Sequence, residues 1–85
     1  MMKILVTGGS GFIGMNLIDT LLERGIQFIN LDVTPPRKSS HQPYWQNCDI
    51  LDFDLTMRSF EQFLPTHIIH LAARNRHAFK PPGRL

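Results

Sequence analysis

Cysteine is nearly missing from this 85-residue chain, where Cys48 stands alone. One thiol allows no internal disulfide framework and no cysteine pair at metal-ligand spacing, which fits a reducing, cytoplasmic setting. Long apolar runs are missing as well. Ile4-Leu5-Val6 is cut off at Thr7-Gly8, too soon for the apolar region of a signal peptide, and nothing approaches the roughly twenty residues of a membrane span. No membrane partner is expected. Acidic residues stop at Glu61: residues 1–73 hold five Lys or Arg against seven Asp or Glu, whereas the last twelve hold Arg74, Arg76, Lys80 and Arg84 and no acid. The basic balance therefore belongs to the tail and is no argument that the folded part binds nucleic acid. With 42% apolar residues, the chain reads as one small, marginally stable globular unit rather than a disordered one.

What is present is concentrated near the N-terminus. Four of the six glycines fall within Val6-Thr7-Gly8-Gly9-Ser10-Gly11-Phe12-Ile13-Gly14. Gly9, Gly11 and Gly14 fit G-x-G-x-x-G, and Gly8, Gly11 and Gly14 fit G-x-x-G-x-x-G. The stretch follows an apolar strand and opens a helix, so the amides of residues 8 to 14 and the positive end of a helix dipole face one point. That is a diphosphate site. Ile13, Leu17, Ile18, Leu21 and Leu22 give the helix an apolar face, with Asn16, Asp19, Thr20 and Glu23 toward water and Gly25 placed to end it. Gln27-Phe28-Ile29-Asn30-Leu31 reads as a second strand, parallel to the first through a right-handed crossover. Asp32 closes that strand, eighteen residues beyond Gly14. This is the spacing of an acid that accepts from the hydroxyls of an adenosine ribose, and it favours NAD over NADP. Arg37 and Lys38, which could meet a 2′-phosphate, keep NADP open.

Residues 33–43 hold three prolines and two serines, and read as an exposed, mobile connection in place of a helix, with His41 a solvated loop histidine. Tyr44 to Cys48 reads as a third strand, and Cys48 as a small buried apolar residue. Asp52 is placed to cap the next helix, whose Phe53, Met57, Phe60 and Leu64 make a sheet-packing stripe flanked by Leu55 and Phe63. Asp49, Asp52 and Asp54 read as capping and solvation, not as a metal site. His67 to Leu71 is a fourth strand, with His70 a packed or solvent-touching histidine at its end.

Thr7-Gly8-Gly9-Ser10-Gly11-Phe12-Ile13-Gly14, joined by His70-Leu71-Ala72-Ala73, resembles the opening part of the NAD-dependent epimerase/dehydratase family, the extended short-chain dehydrogenase/reductases, over residues 2 to 74. The resemblance implies an α/β fold: part of a Rossmann fold, with a four-stranded parallel sheet in order 3-2-1-4 and helices on both faces. It implies NAD as cofactor, held by Gly8, Gly11, Phe12, Ile13, Gly14, Asp32, Asp49, Ile50, Leu71, Ala72 and Ala73. Asp49 would accept from the adenine amino group, the Ile50 amide would reach a ring nitrogen, and small residues at 72 and 73 would let the backbone approach the cofactor.

The family's hydride chemistry uses Tyr-x-x-x-Lys. Here the one tyrosine is Tyr44, and four residues on stands Cys48. No catalytic residue is therefore assigned. The resemblance implies the cofactor half of an enzyme whose nucleotide-sugar substrate would be met only in a longer chain. Residues 75–85 depart from the family pattern and read as a basic, disordered tail left by an interrupted or trimmed reading frame. The rival reading is a dinucleotide-binding or chain-pairing module without turnover, self-associating through an unpaired sheet edge.

Overall fold

The computed structural model describes residues 1–72, so Ala73 and the tail at 75–85 lie outside the described residues. The chain runs β1 (Lys3–Thr7), α1 (Phe12–Glu23), β2 (Gln27–Asp32), a 3₁₀ helix (Ser39–Tyr44), β3 (Trp45–Asn47), α2 (Phe53–Phe63) and β4 (His67–His70). The strands form one parallel sheet in the order β3-β2-β1-β4, as the sequence implied. Thr7 pairs with Leu31 on one side and His70 on the other. The C-terminal ends of β1, β2 and β4 are therefore level, and the glycine stretch leaves the sheet between its two neighbours.

Side chains alternate along each strand, so the sheet feeds two cores. Ile4, Val6 and Phe28 pack with Ile18 and Leu21 of α1. On the opposite face Leu5, Leu31 and Cys48 pack with Leu55, Phe60 and Phe63 of α2. The buried Cys48 fills the role read from its sequence context. Gly25, at φ +66, follows Arg24 at the end of α1, and its amide donates to Leu22. Asp52 caps α2 by accepting from the Leu55 amide at 3.1 Å.

Three expectations fail, each for a tertiary reason. The stripe Phe53–Met57–Phe60–Leu64 is not the packed face: Phe53 is 72% exposed and Leu64 68%. Two helical stripes share Phe60, and the buried Ser59 decides between them. Its hydroxyl lies against Gln46 Oε1 (3.1 Å) and the Leu55 carbonyl (3.2 Å). The small, buried side chain seats this turn of α2 against β3, while Leu64 leaves the helix in a left-handed conformation. Ile13 likewise belongs to no core; it is 70% exposed, in the turn of α1 that stands beyond the strand ends.

The third correction concerns residues 33–43. Pro43 is tolerated because the 3₁₀ helix is short and its backbone bonds come from other amides, His41 N–H to the Lys38 carbonyl and Trp45 N–H to that of Gln42. His41 is 1% exposed, not solvated. Its Nε2 lies 2.8 Å from Asp19 Oδ1, and Lys38 Nζ is 2.6 Å from Asp19 Oδ2. Gln42 Nε2 donates to the Pro36 carbonyl at 3.1 Å, and Tyr44 stacks on Phe28 at 4.7 Å between centroids. Asp19, read as a water-facing helix residue, is thus the post to which the connection is tied.

Leu31 lies wholly within the α2-side core, so Leu31→Ala should cost about 2–5 kcal/mol in chemical denaturation, whereas Phe53→Ser should stay within about 0.5 kcal/mol. The hydrogen bond from Lys38, and then that from His41, hold the Asp19 carboxyl below its ordinary value of 3.8. In the acid range the unfolded chain therefore binds more protons at this residue, and the stabilisation is present above the ordinary value and lost as pH falls through the lower folded one. The melting-temperature difference between wild type and Asp19→Asn should accordingly be largest near neutrality and close in acid.

Candidate functional site

The glycine stretch carries the site, and its amides divide into two groups. Gly8 N–H donates to the Leu31 carbonyl at 3.0 Å. Gly9 N–H donates to Asn30 Oδ1 at 2.8 Å, and Ser10 N–H to Asp32 Oδ2 at 2.9 Å. These three are engaged by β2. The first amide inside α1 with a protein acceptor is that of Met15, which donates to the Gly11 carbonyl at 2.8 Å. Among the described residues no acceptor pairs with the amides of Gly11, Phe12, Ile13 and Gly14. The open set is therefore 11–14, narrower than the 8–14 read from sequence.

Glycine is required here for two separate reasons. Gly8 has φ +75, and a Cβ on it would stand 2.6 Å from the Ala72 amide nitrogen; one on Gly14 would stand 2.6 Å from the Gly9 carbonyl carbon. Those positions are fixed by close packing within the protein. Gly11 differs. It is exposed and extended as the N-cap of α1 (φ −79, ψ −179), and a Cβ there would meet only the Gly8 carbonyl oxygen at 3.9 Å. The space in front of Gly11 is a cleft of about 270 Å³ lined by Gly8, Gly11, Phe12, Ile13, Gly14 and Leu71. α1 has no side-chain cap and no acid in its first turn, so its positive end is left uncompensated at the cleft floor. Four open amides, that helix end and a cradle a side chain would fill suit the diphosphate of a dinucleotide.

Asp32 stands beside this floor. Its Oδ2 accepts from Ser10 and its Oδ1 from Thr34 N–H at 3.0 Å, which leaves acceptor positions on both oxygens free for further donors. Its carbonyl accepts from Trp45 Nε1 at 2.8 Å and the Cys48 amide at 3.3 Å, fixing β3 to the same strand end. Asp49 and Ile50 follow on that side and take no part in the cleft lining. Asp49 Oδ1 accepts from Leu51 N–H at 3.0 Å, and the Ile50 carbonyl accepts from the Thr56 hydroxyl at 3.4 Å. Leu71 lines the cleft from the other side, its amide donating to the Thr7 carbonyl at 2.8 Å, and Ala72 lies against Gly8. His70 is exposed, with Nδ1 2.6 Å from the Thr7 hydroxyl.

Two residues that sequence reasoning passed over shape the loop. Asn30 is fully buried; besides accepting from Gly9, its Nδ2 donates to Ser10 Oγ at 3.2 Å. The signal was available: an amide side chain in the middle of Phe28-Ile29-Asn30-Leu31, two residues before Asp32 and on its face, has to find polar partners. Thr7 is the other. No group of three or more His, Cys, Asp or Glu side chains among the described residues could hold a metal, and no helix among them is long and apolar enough to cross a membrane.

Comparison with known proteins places this geometry. The family model for the NAD dependent epimerase/dehydratase family matches residues 4–80. A dTDP-glucose 4,6-dehydratase of Haemophilus influenzae is 36% identical over 88% of this chain and 25% of its own length. The crystal structure of Thermus thermophilus UDP-glucose 4-epimerase in complex with NAD superposes with TM-score 0.74 and 38% identity, over 86% of this chain and 24% of that one. The dTDP-glucose 4,6-dehydratase of Bacillus anthracis in complex with NAD gives TM-score 0.77 at 28% identity, over 89% and 28%. The chain spans about a quarter of the length of these relatives. An open-amide cleft at the end of β1, an acid at the end of β2 and a family match over nearly all its residues make this chain a member of the NAD-dependent epimerase/dehydratase family.

Proposed function

We propose that this chain is the dinucleotide-binding N-terminal portion of an NAD-dependent oxidoreductase of the nucleotide-sugar epimerase/dehydratase type. The observation that carries the proposal is Gly11, a position free of internal packing demands in front of four open amides. When bound, NAD supplies hydride transfer at its nicotinamide. The residues of this chain hold and orient the opposite end. The amides of 11–14 bind the diphosphate, Asp32 accepts from the ribose hydroxyls, Asp49 and Ile50 meet the adenine, and Leu71 with Ala72 closes the second wall. Two of the structural relatives are complexed with NAD, which supports the assignment. Residues 1–85 hold no Tyr-x-x-x-Lys; on this reading the part played by these residues is cofactor binding, and the substrate class is a nucleotide sugar.

A second reading, pairing with another copy, is favoured by β4. Among the described residues β4 has β1 as its one strand neighbour, and Ile68 is 52% exposed. Such an edge invites strand addition.

Calorimetry on the purified chain should show NAD binding, lost by at least about tenfold in Gly11→Val, with folding of both verified by circular dichroism. Equal affinity in the two proteins, or none in a folded wild type, would refute the assignment. Saturating NAD at a hundred times its Kd should raise stability by about 2.7 kcal/mol. For the second reading, light scattering at tens of micromolar should report a dimer or larger species, and a clean monomer would dismiss it.

A further inference from the structure

Two cations follow Asp32 closely enough in sequence to meet a 2′-phosphate, yet the structure treats them differently. Lys38 Nζ lies 2.6 Å from Asp19 Oδ2, while no carboxylate among the described residues pairs with Arg37. Asp19 is itself immobilised, because its other oxygen is 2.8 Å from Nε2 of the buried His41. The carboxylate cannot swing out with the lysine. Eight residues separate Asp19 from Gly11 along α1, which at 1.5 Å per residue sets its backbone about 12 Å down the helix axis from the cleft floor. An ammonium paired with that carboxylate at 2.6 Å has its charge largely offset, so it does little for an anion bound beside Asp32.

We infer that Asp19 is a specificity-determining residue: by holding Lys38 against the flank of α1 it withdraws a cation from the 2′ position of the adenosine ribose and biases the site toward NAD. The inference rests on the dinucleotide reading above and adds a second carboxylate to it. Asp32 discriminates by direct contact and repulsion, Asp19 by sequestering the cation that would otherwise offset that repulsion. Asp19 touches no part of the proposed ligand.

Asp19→Asn tests this with little change of shape. The amide oxygen still accepts from His41, while the charge that holds Lys38 is gone. NAD and NADP affinities are measured by calorimetry, or by displacement of NAD where NADP is weak. NADP should bind Asp19→Asn about three- to fivefold more tightly than wild type, the range of one exposed ion pair, with NAD within twofold. The gain should vanish in Asp19→Asn/Lys38→Met and at 0.5 M salt. Lys38→Met alone, which is informative even if Asp19→Asn does not fold, should leave NADP affinity unchanged. Normal NAD binding with no NADP gain in folded Asp19→Asn overturns this inference alone. A threefold or greater loss of NADP affinity in Lys38→Met overturns it too, because the lysine would already be in reach. Absence of NAD binding by folded wild type overturns the proposed function and this inference with it.

Discussion

The hydrogen bonds from the amides of Gly9 and Ser10 to the side chains of Asn30 and Asp32 are the constraint on which the site depends. A glycine loop has many conformations, and most of them would not present four consecutive amides in one direction. Here two neighbouring side chains of β2, both on the α1 face, take the loop's middle amides, and the Leu31 carbonyl takes that of Gly8. The loop is pinned along one flank. Its other end must then enter α1 with the next four amides open. Asn30 is buried at reduced cost because its oxygen and its nitrogen each have a partner.

The same strand sets the rest of the frame. Phe28, Asn30 and Asp32 alternate with Ile29 and Leu31, so β2 supports the α1 core and the loop from one face and the α2 core from the other. Its last carbonyl receives Trp45 and Cys48, which carries β3 to the strand end where Asp49 and Ile50 follow. The connection between β2 and β3 has no long helix, and Asp19 with Lys38 and His41 provides the anchorage that helix packing would otherwise supply. An exposed ion pair alone adds little. A buried imidazole on the same carboxylate makes the arrangement directional, since losing Asp19 would strand a buried polar ring.

Much of this was legible in the residues themselves. The apolar runs of β1 and β2, the 3.6-residue period of α1, the cap at Asp52 and Gly25 past the end of α1 are local signals, and each of these elements forms within a residue or two of where they put it. The acid at 32 was legible because the crossover from β1 to β2 has a nearly fixed length. The α2 stripe was misread because Phe53, Met57, Phe60 and Leu64 share a period with the face that packs; periodicity gives a spacing but not a rotation when two stripes overlap. His41 was misread because its partner lies twenty-two residues away, on a helix.

The sequence by itself determined four strands and two helices in chain order, the glycine loop at the end of β1, the acid that follows β2 and the lack of a Tyr-x-x-x-Lys pair. These are properties of local pattern and spacing. Only the tertiary structure decided which loop amides are open, which glycine faces the cleft, and that Lys38 is held by Asp19. Each of those depends on which distant groups meet. Hydrogen-bond partners compete in space, and the winners are set by the register of β1 on β2 and by the packing of α1, neither of which is written in neighbouring residues.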